Sequence, residues 1–488
     1  MPADRVSGIQ PFEAVDPGYW CDHEYAVVIV DARGTGQSDG DMAFKGTQAG
    51  RDAHDVIEWI AAQDWSTGRV TMTGNSQLAA IQWAAAERPP HLAAIAPWEG
   101  LTDLYRDVIA RGGNPDYVFH DIDIIGFLNG KNRFEDVTGM HRAHPLDHPY
   151  WEDKRPQLTQ VSIPAYVVAS WTHPIHSRST IKAYETLGSP DKWLRLHNTQ
   201  EWPDLYDPAN VEDLRRFFDY YLKGVDNGWE QTPRVRYAMI DPGGEDDFRT
   251  AGQWPPVEVE ATTLYLDAAT GRLAKVCPVG EAAVSYGSTD EKVSAKFTYT
   301  IEEETEFIGP SNLRFWVESS EADDLDLFGV VYKTNAVGKA RLHIVFPSMK
   351  ELFEQLIEAD ADLPGGPLWP GPNGRLRASH RAIDPERSTD LEPFVTHARE
   401  ELIEPGTPVE VNLGLWPAGM LLHKGETLVV EIAGHVAGPI PAPRASDADP
   451  DAVMPTRNTG THTIRTGGSY DSKVFLPLRP SGITPDES

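Results

Sequence analysis

Val70-Thr-Met-Thr-Gly-Asn-Ser-Gln-Leu-Ala-Ala80 is the stretch that decides the fold. A short run containing β-branched residues ends at Gly74, and two residues later Ser76 opens an apolar segment of helical character. A strand that turns sharply into a helix at a serine presents the hydroxyl at the apex of the turn, the layout of a nucleophile elbow. The same turn sets backbone N–H groups, that of Gln77 first, where they can stabilise an oxyanion. The usual pattern is Gly-x-Ser-x-Gly; Gly74 and Ser76 fit it, and Leu78 stands at the last position. Gly-x-Ser by itself is common, and a serine at this place also serves as an ordinary helix cap. The surrounding chain has to decide between the two.

Upstream, Tyr25-Ala-Val-Val-Ile-Val30 is an almost unbroken apolar run, the pattern of a strand buried on both faces. It leads into the glycine-rich loop Asp31–Gly40, which lacks the lysine of a phosphate-binding loop and reads as a tight connection. Residues 51–62 place Val56, Ile57, Ile60 and Ala61 on one helical face. Downstream, strands are expected at 91–97, 163–170 and 193–196, with helices through 181–187 and 211–222. Five strands joined by crossovers imply a parallel sheet covered on both sides, an α/β core over residues 1–100 and 161–230. Function then gathers at the carboxyl ends of the strands, where Ser76, Glu99, Trp171 and His197 fall. Residues 101–160 break the rhythm and read as an inserted helical cap. From 231 to 488, short strand-like runs, Val235–Met239 first among them, are punctuated by Gly, Pro and Asp. They imply an antiparallel β-sandwich or jelly roll.

The 488 residues suffice for two or three domains. A net charge of −31 argues against nucleic acid as a partner, because phosphate binding needs clustered cations. Cys21 and Cys277 suggest no disulfide framework. The N-terminus lacks the apolar core of a signal peptide and no run reaches membrane-spanning length, so a cytoplasmic protein without a membrane partner is expected. His141, His144 and His148 have a spacing that invites a metal, but Pro145 and Pro149 break the helix that would align them. The acidic run Asp323–Asp326 reads as a solvated loop rather than a calcium site. No metal and no cofactor are expected.

Several segments together resemble the Xaa-Pro dipeptidyl-peptidase and cocaine-esterase family of serine hydrolases. They are Tyr25–Gly36, Gly74-Asn-Ser76, Pro97-Trp-Glu-Gly100, Lys192-Trp-Leu-Arg-Leu-His197, Phe217–Gly224 and Gly460–Ser472. The resemblance implies an α/β-hydrolase domain with an inserted cap, a C-terminal jelly roll, and acyl transfer to Ser76. Two departures stand out. Family members carry further strands ahead of the Tyr25 strand, and a loop there supplies a tyrosine to the oxyanion hole; that segment is not expected here, which leaves Gln77 as the assigned donor. The family's aspartate follows the strand that here ends at Ser170, in a Trp-x-Asp context, whereas this chain reads Trp171-Thr-His-Pro-Ile-His176.

A serine hydroxyl needs a neighbouring base, and the base needs a third group to fix its tautomer. His197 ends the last expected sheet strand and follows Ser76 in chain order, which makes it the first choice of base. It also resembles the histidine of members that read Lys-Trp-Leu-x-x-His, while in others the histidine lies where this chain has Gln200 and Glu201. Glu99, one strand from the elbow, is the first choice of acid, with Asp204 and Asp207 behind it. His176 is the alternative base or a brace, and Trp98, Trp171 and His173 join it as candidate pocket residues. The expectation is a serine hydrolase for a small-molecule ester or amide, Xaa-Pro peptides included; assembly into a homo-oligomer stays open. The competing reading is a hydrolase-fold protein that binds a small molecule or catalyses a non-hydrolytic step.

Overall fold

The computed structural model describes all residues except 1–4, 89, 125–130, 258, 360–362, 364–365, 441–453 and 482–488. Its first layer is a six-stranded sheet in simple order: β1 (Val70–Asn75), β2 (Leu92–Trp98), β3 (Ala165–Ser170), β4 (Lys192–His197), β5 (Val235–Met239) and β6 (Asp247–Ala251). The first five run parallel and β6 closes the edge antiparallel. Helices α1 (Pro17–Asp22), α2 (Gly46–Ala61), α3 (Gln77–Ala85), α4 (Ser177–Thr186), α5 (Glu201–Leu205) and α6 (Pro208–Phe218) supply crossovers and flanks. Every residue of β3 is buried, as a central parallel strand requires. Phe217 and Phe218 of α6 pack with Trp193, Trp229 and Tyr166 below the sheet.

Two expectations change here. Tyr25–Val30 forms no strand: Tyr25 and Val27 pack on the core, but Val28, Ile29 and Val30 are exposed. An apolar run becomes a buried strand only when a neighbouring edge completes its ladder, and β1 pairs with β2 alone among the described residues. Val235–Met239, read from sequence as the first strand of the β domain, instead extends the parallel sheet beside β4. Its short, alternating pattern is common to both kinds of sheet, so only pairing could assign it.

Within residues 101–160 the described segments include short helical turns, among them Tyr105–Ile109, Val137–Ala143 and Pro149–Asp153, and a two-stranded ribbon of Ala110–Arg111 and Asn114–Pro115. Residues 260–480 build an eleven-stranded, almost wholly antiparallel β domain around long strands Thr305–Glu318 and Val409–Leu422. It docks on the first sheet through main-chain bonds, Ile240 N–H to Gly419 O at 2.9 Å and Leu421 N–H to Ile240 O at 2.8 Å. No helix among the described residues is long and apolar enough to cross a membrane.

Candidate active site

The strand-to-helix turn is present at the expected place. β1 ends at Asn75, α3 begins at Gln77, and Ser76 between them has φ 55° and ψ −112°. A left-handed backbone costs a non-glycine residue about 1–2 kcal/mol, and such strain is found where a structure holds a side chain in a set position. Gly74 makes the turn feasible: at φ 137° a Cβ there would lie 2.7 Å from Leu78 Cβ. The glycine at position 74 thus absorbs the close approach and lets Leu78 stand where the usual pattern has a second glycine. The Ser76 N–H bonds Trp98 O at 3.0 Å, which locks the serine against the end of β2. Gln77 is the first helical residue, so its N–H has no intrahelical acceptor and remains available to an oxyanion.

Glu99 follows Trp98 directly and shares the left-handed backbone, φ 53°. Its carboxyl is fully buried, and burial pushes its pKa well up, helped by the charges of Glu201, Asp204 and Glu13. His197 Nε2 lies 2.7 Å from Glu99 Oε1. Burial pushes this imidazole down to about 4, against the opposing pull of Asp204. Both shifts favour the uncharged forms of the two groups over an ion pair. Asp204 remains the ionised member, because Arg195 and the Trp98 indole N–H (2.9 Å) outweigh its burial.

The structure therefore joins Glu99 to His197, but neither ring nitrogen of His197 is directed at Ser76: Nε2 faces Glu99 and Nδ1 faces Thr199. Three strand spacings of about 4.8 Å each separate the ends of β1 and β4. That gap of about 14 Å exceeds what a serine and a histidine side chain span together. Trp98 and Trp171 are structural rather than pocket residues. Trp98 is fully buried beneath the sheet, and the Trp171 indole N–H bonds Ala238 O at 2.7 Å, packed against Gly419 of the β domain. Asp207 caps α6 and pairs with Arg5.

The loop after β3 holds two stacked histidines, His173 and His176, with ring centroids 4.4 Å apart. His173 Nε2 lies 2.9 Å from Glu201 Oε2. Burial raises the Glu201 carboxyl, but the His173 contact and charge outweigh it and hold the group below its ordinary value. His173 stands where the family resemblance leads one to expect an aspartate, and Glu201 close to where it leads one to expect a histidine in some members, so imidazole and carboxylate are interchanged relative to that expectation. The exchange is legible in sequence only to a reader who knows both positions touch. Glu13 also enters: its carbonyl accepts the Asn75 N–H at 3.0 Å, and its side chain takes the Trp202 indole N–H at 3.1 Å. No sequence pattern marked it, because its segment is irregular and reaches the elbow only through the fold.

His176 is buried beside this cluster, with no partner for Nδ1 among the described residues, and burial pushes it well below its ordinary pKa. Its neighbour Ile175 packs in the cluster that contains Ala80, one turn into α3 from Ser76. Glu99, His173 and Glu201 each offer a ligand atom within 4.8 Å of the others, which is close enough to hold a cation. However, His173 Nδ1 accepts the N–H groups of Ile175 and His176, both at 3.3 Å, so its proton sits on Nε2, the atom a metal would need. Among the other histidines, His141 bonds Tyr117 and His144 stacks on His148; Asp324 and Asp326 are engaged by Ser379 and Arg377.

A parallel sheet with a strained serine between strand and helix, histidines and carboxylates at neighbouring strand ends, and an appended β domain defines an α/β-hydrolase. The family models agree: residues 4–121 match the X-Pro dipeptidyl-peptidase (S15 family), and residues 227–475 match the X-Pro dipeptidyl-peptidase C-terminal non-catalytic domain. A CocE/NonD family hydrolase from Staphylococcus aureus superposes with a TM-score of 0.87 at 33% identity, over 97% of this chain and 83% of that one. A putative serine esterase of Mycobacterium bovis is 22% identical over 93% of this chain and 83% of its own length. Cocaine esterase of Rhodococcus is 25% identical over 50% of this chain and 52% of its own. The chain belongs to the X-Pro dipeptidyl-peptidase and CocE/NonD family of serine hydrolases.

Proposed function

We propose that this protein hydrolyses a small ester or amide through an acyl-enzyme on Ser76. The observation that carries the reading is the serine itself, held at φ 55° at a strand-to-helix turn with no hydrogen-bond partner for its hydroxyl among the described residues. Ser76 Oγ attacks the carbonyl carbon while its proton passes to a histidine. The oxyanion that forms is met by the Gln77 N–H at the positive end of α3. Collapse expels the alcohol or amine, which takes the proton back, and water then repeats the sequence to release the acid.

For the base, the reading favours His176 over His197. Burial holds His176 in its uncharged form, its Nδ1 has no partner among the described residues, and its neighbour Ile175 packs against the cluster that includes Ala80 of α3. Its stacked partner His173, tied to Glu201, is a positioning residue. The Glu99–His197 pair is placed to brace the end of β2 against β4. The test is labelling with a fluorophosphonate probe. Adduct at Ser76, lost in Ser76→Ala, is the expected result; folded protein without an adduct at Ser76 overturns the proposal. His176→Asn should then lower 4-nitrophenyl butyrate turnover more than His197→Asn does, and the opposite order assigns the base to His197.

A further inference from the structure

Beside the elbow lies a cavity of about 340 Å³ between α2, α3 and the cap, with Lys45, Gln77, Ala80, Ile81, Leu101 and Asp153 on its walls. Gln77, the residue after the nucleophile, stands on its wall. Lys45 is buried, and its Nζ is shielded from solvent with no hydrogen-bond partner among the described residues. Its recorded contact is the Phe44 ring, with Nζ 5.5 Å from the centroid.

Of the other charged groups on this cavity, Lys154 and Arg155 are ion-paired, while the carboxylates of Glu152 and Asp153 are exposed. Lys154 holds both oxygens of Glu135, at 3.0 and 2.9 Å, and Arg155 bridges Asp103 and Asp147 at 2.7 Å each. Glu87 accepts the Gln157 N–H at 2.6 Å. Asp153 sits against Gly46, where a Cβ would come within 2.4 Å of Oδ2. Burial pushes Lys45 down to about 7, no carboxylate among the described residues offsets it, and its charge in turn opposes protonation of His176. A buried amine without a counter-charge is costly to protonate. A ligand that brings the counter-charge removes that cost and gains a charge-assisted hydrogen bond.

We propose that Lys45 is a specificity-determining residue whose amine receives a carboxylate carried by the substrate near its scissile carbonyl. The inference rests on the hydrolase reading for the identity of the cavity's occupant. The protein's preferred substrates are then half-esters or half-amides of dicarboxylic acids, or acyl groups with an equivalent anion. The carboxylate is seated by Lys45 while the carbonyl lies over Ser76 and the Gln77 N–H. Ala80, Ile81 and Leu101 provide the apolar wall along the chain between them.

The experiment compares mono-4-nitrophenyl glutarate with 4-nitrophenyl butyrate, and measures glutarate binding by calorimetry. A charge-assisted bond is worth about 10- to 100-fold in affinity. The ratio of kcat/KM, glutarate ester over butyrate ester, should fall by about that factor in Lys45→Met, with Lys45→Gln as a second variant. Calorimetry should show glutarate binding to wild type and to Ser76→Ala, and loss in both Lys45 variants. An unchanged ratio, or glutarate binding that survives in Lys45→Met, overturns the proposal. Calorimetry also separates the two readings: glutarate bound through Lys45 without turnover of either ester removes the hydrolase reading and leaves the anion site standing. Turnover of butyrate without glutarate binding does the reverse.

Discussion

Lys45→Met should make the protein more stable, and by an amount that depends on pH in a calculable way. The amine is held at about 7 rather than at its ordinary 10.5, with burial as the cause. In the unfolded chain it is solvated and protonated until about pH 10.5, so between pH 7 and 10.5 the unfolded state binds more protons than the native state. Wild-type stability therefore carries a penalty that is complete below pH 7 and disappears as pH rises to 10.5. At about 1.4 kcal/mol per pH unit, the penalty at neutral pH is roughly 5 kcal/mol. Methionine has a similar length and volume, so the packing against Phe44 is retained. Urea unfolding followed by tryptophan fluorescence, in buffer free of carboxylates, should show the variant more stable by several kcal/mol at pH 7 and by only about 1 kcal/mol at pH 10. A gain equal at both pH values would mean that Lys45 is not a buried uncharged amine, and a loss at pH 7 would mean that it has an anionic partner. Either outcome refutes the reasoning.

Three further expectations follow from the same structure. Ser76→Gly should lose turnover yet be about 1 kcal/mol more stable than Ser76→Ala in urea unfolding, because glycine adopts φ 55° without the left-handed penalty. Asp204→Asn leaves the largely buried Arg195 without its counter-ion and should cost about 3 kcal/mol by the same measurement. It also removes one of the charges that raise Glu99, so the Glu99 carboxyl should titrate at lower pH by infrared difference spectroscopy. Gly419→Ala should lower the melting temperature: its Cβ would fall 2.7 Å from the Trp171 indole and 2.9 Å from Ala238 O, where the two domains meet. Overpacking of that kind costs about 1–3 kcal/mol.

Sequence by itself determined the elbow, because a turn between Gly74 and Gln77 is a local matter of backbone conformation and side-chain size. It also determined β1 to β4 and the helices between them, where apolar runs and helical spacing are written within short windows. The family resemblance could be read from segments that are likewise short and contiguous. Pairing is what sequence alone left undecided. Tyr25–Val30 has the composition of a buried strand and does not become one, and Val235–Met239 joins the parallel sheet rather than the β domain. In both cases the outcome depends on which edge lies alongside. The site shows the same division. Glu99 and His197 meet as expected, yet strand order puts three spacings between Ser76 and His197. The contact of His173 with Glu201, the approach of Glu13, and the burial of the Lys45 amine all arise from chain segments far apart in sequence. Charge and hydrogen-bond satisfaction are properties of a neighbourhood in space, and for these residues only the tertiary structure assembles it.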